Sequence, residues 1–193
     1  MMLPPQLITE IKQRRVLLFA GAGLSAALGL PNWSGLIDKM ATDLDFDPEL
    51  FKMLGDFPSL AEYYLLERPD RAEFGDWLRR SWHNSSIDVA ASKAHAAILD
   101  AQFPIIYTTN YDHWIEHAYA IRGIPISKIV RGDDIADVVV GDAQVVKFHG
   151  DLDDPETMIL TESDYFERLR FESEPRSETA IRSIAIFNPF RGI

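Results

Sequence analysis

The chain has 193 residues, which is enough for one domain with a full hydrophobic core. It contains no cysteine, which excludes disulfides, a thiol nucleophile and a cysteine-ligated zinc. The formal net charge of −11 disfavours nucleic acid and anionic membranes as direct partners. The sequence shows no secretory signal and no apolar run of about 18 residues, so we expect a cytoplasmic protein.

The first part of the chain predicts one strand followed by a block of helices. Residues 7–11 have the apolar spacing of a short helix, and residues 16–20 read as a buried strand, apolar on both faces and ended by a glycine. Helical patterns then follow at residues 34–44, 59–67, 71–82 and 92–101. This block predicts a helical insertion, forming a small subdomain or lid over about residues 34–101, between the first two strands.

The second part alternates strands with helices. Strands are predicted at residues 104–109, 126–130, 136–140 and 144–148, and a helix at 112–122. Residues 157–161 are either another strand or an extended approach to a helix. That helix begins with a capping box of Thr161 and Asp164, and a last helix is predicted at residues 177–187. The alternation predicts an α/β fold with a parallel sheet flanked by helices.

The segment "GAGLS" follows the first predicted strand. Gly21 and Gly23 permit positive φ angles and a close approach of the backbone to a ligand. The amides that open the following helix favour a phosphate, and Ser25 is a candidate helix cap or ligand donor. The spacing is neither G-x-G-x-x-G nor a Walker A motif, so a tight turn without a ligand is the alternative.

Polar residues also follow two other predicted strands. Asn110 offers a donor and an acceptor, and Asp112 is placed to cap the next helix. Gly150 allows a sharp turn after His149, a side chain suited to proton transfer near neutral pH, and the neighbouring Asp151 is expected to raise the pKa of His149. Since ligands bind at the carboxyl ends of parallel strands, these loops predict one shared site. Purely structural roles for Asp112 and His149 are the alternative.

Together, "FAGAGLSAALGLPNW", "TTNYD" and "KFHGD" resemble the signatures of the sirtuins, and more closely the bacterial sirtuin-like domains that hydrolyse NAD in phage defence. The matching positions are residues 21–25, 29–31, 108–112 and 149–150, with Thr109 standing where the sirtuins have Gln. The segment "MILTESDY" is similar to the one that follows in the sirtuin-like branch. The resemblance covers residues 16–150 and implies a Rossmann-like fold, with residues 1–193 as one domain.

Departures from the sirtuin pattern point to one branch of the family. Asn32, Trp33 and Ser34 stand where deacetylating sirtuins carry Asp-Phe-Arg, and the four zinc-binding cysteines of those enzymes are missing. Both differences favour the NAD-hydrolysing branch over a protein deacylase. The last residues show no match to the strand, Gly-Ser turn and adenosine-binding loops with which the family continues, so we expect a fold that is truncated or altered at its C-terminal part.

The resemblance implies a set of site residues and a substrate. Asn110 and His149 are the implied catalytic residues of an NAD glycohydrolase that releases nicotinamide and ADP-ribose. The implied NAD-binding residues are Gly21, Ala22, Gly23, Ser25, Asn32, Trp33, Thr108 and Asp112. NAD is implied as the substrate, no metal is expected, and assembly into a homo-oligomer is implied by the resemblance alone.

Three other interpretations remain open. A catalytically inactive module that binds NAD or ADP-ribose would have the same motifs. The segment "HWIEH" fits the H-x-x-E-H pattern of inverted zinc peptidases, with His113 and His117 as ligands and Glu116 as base. The acidic segment "DLDDPE" at residues 151–156 is a candidate calcium loop or, as its lack of EF-hand spacing favours, a solvated loop.

Overall fold

A computed structural model of the protein describes residues 3–83 and 86–173. The predicted last helix at 177–187 lies outside the described residues. The order is α1 (Pro5–Lys12), β1 (Leu18–Ala20), α2 (Ala22–Ala26), α3 (Trp33–Asp43), α4 (Pro48–Lys52), α5 (Phe57–Glu67), α6 (Arg71–Trp82), α7 (Lys93–Ala101), β2 (Ile105–Thr108), α8 (Trp114–Ile121), β3 (Ile126–Ile129), β4 (Ala143–Lys147) and α9 (Glu162–Ser173).

The four described strands form one parallel sheet in the order β1-β2-β4-β3. Ala20 lies beside Thr108, and Thr108 beside Lys147, so β1, β2 and β4 end level with one another. The loops that follow these three strands therefore emerge at the same edge. The predicted α/β fold with a Rossmann-like parallel sheet, and with helices inserted between the first two strands, is confirmed.

Residues 136–140 do not form the predicted strand. A short 3-10 helix spans Gly132–Asp137 instead, and Asp134 stabilises its start by accepting hydrogen bonds from the backbone of Val130 and Arg131 at 2.7 and 2.8 Å. Val139 and Val140 are exposed, so their β-branched side chains do not mark a buried strand here. Of the predicted segment 157–161, Thr157 ends a 3-10 helix over Pro155–Thr157, and residues 158–161 form no strand and lead into α9.

The prediction that the first strand is apolar and buried on both faces was wrong. Ala20 is buried, but Phe19 is 66% exposed and Leu17 is 40% exposed. Within the described residues β1 pairs with β2 on one side only, so it is an edge strand of the sheet. Its apolar sequence is that of a central strand, although its position among the described strands is peripheral.

The helical insertion shares its core with the sheet. Ile37, Met40 and Leu78, on the inserted helices, belong to the same buried cluster as Ile106 of β2 and Val145 of β4. The insertion is therefore packed against the sheet over a continuous apolar core rather than held apart from it. In the described part of the chain, no helix combines the length and apolar character needed to cross a membrane.

The predicted capping box starts α9. Thr161 Oγ1 accepts from the backbone N–H of Asp164 at 3.1 Å, and an Asp164 oxygen accepts from the backbone N–H of Thr161 at 2.9 Å. The Asp164 carboxylate also receives two hydrogen bonds from Arg71 Nη2, at 2.8 and 3.0 Å. This ion pair connects α9 to the beginning of α6. Its hydrogen bonds join a charged donor to a charged acceptor, and such bonds are stronger than those between neutral groups.

Candidate functional site

An open cleft lies beyond the carboxyl ends of β1, β2 and β4. All three loops singled out in the sequence contribute to it, and so does the helical insertion. Its lining residues are Ala22, Ser25, Pro31, Asn32, Trp33, Leu36, Trp82, Thr109, Asn110, Tyr111, Asp112 and His149. The predicted convergence of the three loops on one hollow is thus seen in the structure.

The Gly-Ala-Gly turn leads directly from β1 into α2. Gly21 has a φ of −122°, and neither it nor Gly23 is among the described residues with positive φ, so the expected left-handed conformation is not used here. A side chain at Gly23 would meet no atom within 4 Å, which leaves the backbone open to a ligand. Ser25 does not cap this helix, because it lies inside the helical turn rather than at its start.

Ser25, Asn110 and Asp112 form a buried hydrogen-bond network. Ser25 Oγ donates to Asp112 Oδ2 at 2.5 Å, and Asn110 Nδ2 donates to Ser25 Oγ at 2.7 Å and to the Gly21 carbonyl at 3.1 Å. Asp112 Oδ1 accepts from the backbone N–H of Trp114, the first residue of α8, at 3.1 Å, although the N-cap position itself is taken by His113 and not by Asp112 as predicted. The network fixes the orientation of the Asn110 amide in the cleft, and the Asp112 carboxylate keeps capacity for two further hydrogen bonds.

Thr108 and Gly21 lie behind the cleft rather than on its lining, and Gly23, which is not itself a lining residue, follows the lining residue Ala22 in the first turn of α2. Thr108 is buried, and its Oγ1 accepts from the backbone N–H of Asn110 at 3.1 Å. Gly21 supplies the carbonyl that holds the Asn110 side chain. In the described contacts, Thr108 and Gly21 therefore support Asn110 from behind.

Asn32 and Trp33 form one wall of the cleft at the start of α3. Asn32 Oδ1 accepts from the backbone N–H of Gly35 at 3.1 Å, which caps the helix. The Trp33 ring stacks on Phe57, with ring centroids 6.3 Å apart and planes inclined by 16°. This packing holds a large flat side chain at the edge of the hollow.

His149 is placed by the turn at Gly150. Gly150 has a φ of +88°, and a Cβ there would lie 2.2 Å from the Thr157 carbonyl oxygen, so only glycine fits. The His149 ring packs edge-on against Tyr165 at 5.5 Å. Burial, with a smaller contribution from the charge of Arg168, lowers the pKa of His149 below its ordinary value, which favours the neutral imidazole at pH 7.

The expectation that Asp151 raises the pKa of His149 was wrong, because Asp151 is turned to other partners. Its carboxylate is only 1% exposed and lies 2.8 Å from His113 Nε2, 3.0 Å from Lys147 Nζ and 3.1 Å from Lys128 Nζ. Burial alone would raise the pKa of Asp151, but the hydrogen bond from His113 and the charge of Lys147 outweigh it and hold that pKa far below its usual range. The predicted solvated acidic loop is therefore anchored in the protein.

Lys147 connects two of the cleft loops from inside the protein. Its side chain has no exposed surface, and Nζ donates to the backbone carbonyls of Tyr111 and Asp112 at 3.1 and 2.5 Å. Nζ also lies 3.0 Å from Asp151 and 3.3 Å from Glu116. A single buried ammonium thus holds the Asn110 loop against the loop that follows His149.

The contacts of the "HWIEH" segment disfavour the zinc peptidase interpretation. Glu116 pairs with Lys147, and the His117 ring stacks on Trp114 with centroids 5.3 Å apart. Among the described residues, the one group with metal-ligand spacing joins His113 to Asp151 and Asp153 instead. Lys128 Nζ already binds these two carboxylates, at 3.1 and 2.9 Å, and so supplies the positive charge that a metal would bring.

Trp82 and Tyr111 also line the cleft, although neither was predicted to be a site residue. Trp82 is the last residue of α6, and its ring stacks on Tyr111 with centroids 6.3 Å apart and an angle of 16°. Tyr111 donates its hydroxyl to the Ile159 carbonyl at 2.6 Å, and burial raises its pKa. Tyr111 lies inside a quoted motif, but no motif marks Trp82, because the end of α6 reaches the cleft only through tertiary packing.

Comparison with known proteins finds a match to a family model and several similar proteins. A model of the SIR2-like domain matches residues 104–189. The chain is 31% identical over 163 residues to the NAD(+) hydrolase ThsA of Acinetobacter baumannii and 26% identical over 177 residues to that of Bacillus cereus. These matches cover 83% and 86% of this chain but 32% and 34% of the relatives, so the chain spans about a third of their length.

A further relative is Defense-associated sirtuin 2 of Bacillus subtilis, 28% identical over 163 residues, which make up 82% of this chain and 16% of that protein. The resemblance found in the motifs is confirmed: the chain is a homologue of sirtuin-like NAD(+) hydrolases and carries a SIR2-like domain match.

Proposed function

We propose that this chain is the catalytic part of an NAD glycohydrolase, which cleaves NAD to nicotinamide and ADP-ribose. The observation that carries the proposal is the cleft, in which Asn110, Asp112 and His149 come together with Ala22 and Trp33. The names of the relatives support the choice of NAD as the substrate. Residues 1–193 would form one sirtuin-like domain, with the helical insertion as its lid.

The proposed reaction breaks the bond between C1′ of the ribose and the nicotinamide nitrogen. The bonding electrons return to the pyridinium ring, which leaves as neutral nicotinamide, and C1′ passes through an oxocarbenium-like transition state. Water attacks C1′, and its proton passes to a base. The chain's residues therefore need to orient the ribose, admit one water molecule and accept one proton.

His149 is the proposed base, and Asn110 the proposed orienting group. Because burial lowers the pKa of His149, its imidazole is neutral at pH 7 and able to accept the proton. Asn110 is held by Ser25 and the Gly21 carbonyl, so its amide is fixed before the substrate arrives. A fixed amide at the reacting centre stabilises developing charge without reorganisation.

The remaining cleft residues suit the two ends of the dinucleotide. Among the described residues, no lysine or arginine lines the cleft, so the backbone N–H groups of Ala22 and Gly23, at the first turn of α2, are the proposed ligands of the pyrophosphate. Trp33 would cover the ribose and exclude bulk water. Asp112 would accept a hydrogen bond from the nicotinamide carboxamide, using the lone pairs that Ser25 and Trp114 leave available.

The relatives also suggest a biological setting. One of them is named a defense-associated sirtuin, which supports a role for this chain in phage defence through the loss of cellular NAD. Because the chain spans about a third of the hydrolases it matches, we propose this role for the whole protein of which the domain is the catalytic part.

The test is to incubate the purified chain with NAD and to measure nicotinamide and ADP-ribose by chromatography. We expect Asn110→Ala and His149→Ala each to slow release by about a hundredfold or more, with unchanged circular dichroism. The matched control is His117→Ala, since His117 is exposed and outside the cleft lining. Equal release by the Asn110 and His149 variants and the parent would refute the site. NAD that binds without being cleaved would identify a binding module instead.

A further inference from the structure

Among the described residues, none makes a hydrogen bond with the imidazole ring of His149. The Asn110 and Asp112 side chains are both fixed by hydrogen bonds in the cleft. The hydrogen bond described for His149 uses its backbone instead, where the carbonyl accepts from the Ile159 N–H at 2.9 Å. A general base must come within hydrogen-bond reach of the proton that it removes, so another contact has to orient this ring.

Tyr165 makes that contact from outside the cleft lining. The ring centroids of Tyr165 and His149 lie 5.5 Å apart, and the ring planes are inclined by 88°. Edge-to-face packing of this kind is a favourable arrangement of two aromatic rings. Tyr165 is half-buried and is not one of the lining residues. The contact therefore restricts the imidazole without occupying the cleft.

Tyr165 is itself held by the start of α9. Its neighbour Asp164 closes the capping box of this helix and accepts two hydrogen bonds from Arg71 Nη2, at 2.8 and 3.0 Å. Arg71 Nη1 also donates to the Met158 carbonyl at 3.1 Å, and so binds the segment that leads into α9. Since Arg71 is the first residue of α6, the helical insertion supports the turn of α9 from which Tyr165 reaches His149.

We infer that Tyr165 is a positioning residue, which holds the His149 imidazole in one orientation toward the cleft. The expected effect on turnover rests on the proposed function, in which His149 is the base. The aromatic ring carries the effect, because the Tyr165 hydroxyl has no hydrogen-bond partner in the described part of the chain. Because Tyr165 does not line the cleft, its loss should change how often the base is correctly placed and not how tightly NAD binds.

The kinetic test compares three variants of the full chain with the parent for cleavage of NAD. Tyr165→Leu removes the ring and is expected to lower kcat roughly tenfold, with KM changed by less than about twofold. Tyr165→Phe keeps the ring and is expected to keep the parent kcat. Phe166→Leu is the matched control, since Phe166 is 59% exposed on the same helix, and is also expected to keep the parent kcat. Circular dichroism checks that each variant is folded.

A second measurement follows the His149 ring without any catalysis. Three-bond couplings across the Cα–Cβ bond, measured by NMR on the chain with isotope-labelled histidine, distinguish one staggered rotamer from an average over several. The His149→Ala variant identifies the His149 signals. The parent and Tyr165→Phe are expected to give the couplings of a single rotamer, and Tyr165→Leu is expected to give averaged couplings.

The two measurements separate the inference from the proposed function. Averaged couplings in the parent, which need no variant to measure, overturn the inference. So do an unchanged kcat or a single rotamer in Tyr165→Leu, and an equal loss of kcat in Tyr165→Phe or Phe166→Leu. Cleavage of NAD by the parent with unchanged couplings in Tyr165→Leu overturns the inference and leaves the proposed function intact. The predicted couplings without any cleavage of NAD refute the proposed function and leave the Tyr165 contact intact.

Discussion

Replacing Lys147 with methionine tests how much the buried ammonium contributes to holding the cleft loops. Methionine has a similar volume, so the main change is the loss of charge and of donors. The Lys147 side chain has no exposed surface and its partner Asp151 is 1% exposed, so the variant leaves a carboxylate buried beside the remaining His113 and Lys128. Breaking a buried ion pair on one side costs about 3–5 kcal/mol.

Lys128→Met is the matched control for this change. Lys128 is a third exposed and also binds Asp151 and Asp153, so its removal should cost about 1 kcal/mol or less. Urea unfolding followed by circular dichroism gives both free energies, and for a chain of this size 3 kcal/mol lowers the Tm by at least about 6 °C. Equal stability losses in the two variants would refute the view that Lys147 joins the loops from a buried position.

Three further predictions concern the turn, the network and the pH response. Gly150→Ala should lower the free energy of unfolding in urea by at least about 2 kcal/mol. The control Gly123→Ala, also at positive φ but with open space around it, should lower it by about 1 kcal/mol. Similar losses in the two variants would contradict the close contact at Gly150. Ser25→Ala should lower kcat for NAD roughly tenfold, because the Asn110 amide loses the hydrogen bond that fixes its orientation. An unchanged kcat would show that this hydrogen-bond network does not contribute to catalysis. Burial, helped by repulsion from a neighbouring imidazole, lowers the pKa of His83 to about 4, so the unfolded chain binds more protons than the folded one between pH 6.5 and 4. Stability should therefore fall as the pH drops through that window, less steeply in His83→Gln, and parallel curves would contradict the assignment.

Local patterns predicted most of the fold. The helix at Arg71–Trp82 was predicted with its observed bounds, because its start and its apolar spacing depend on neighbouring residues alone. The N-cap Asp70 directly precedes it in the sequence. The strand predicted at residues 136–140 is not formed, because three consecutive valines have the right propensity but pair with no strand among the described residues. The predicted burial of Phe19 was wrong for a similar reason, because the burial of a strand depends on the elements that cover it and not on its own sequence.

The positions of cleft residues could be predicted where a sequence motif directly follows a strand. Asn110, Asp112 and His149 follow β2 and β4 directly, so parallel pairing alone brings them to one edge. Trp82 and the contacts of Asp151 were not predictable in this way. Trp82 reaches the cleft through the packing of the insertion. Asp151 has three nitrogen partners, on His113, Lys128 and Lys147, that lie far from it or on other elements, so neither residue leaves a local sequence signal.

The most direct test of the shared NAD site is a crystal structure of the His149→Ala variant, which should bind NAD without cleaving it, in complex with NAD. The structure is predicted to show the pyrophosphate against the backbone of Ala22 and Gly23, with the nicotinamide ring between Asn110, Asp112 and Trp82. NAD bound elsewhere on the protein, or a dinucleotide whose nicotinamide lies outside this cleft, would contradict the account.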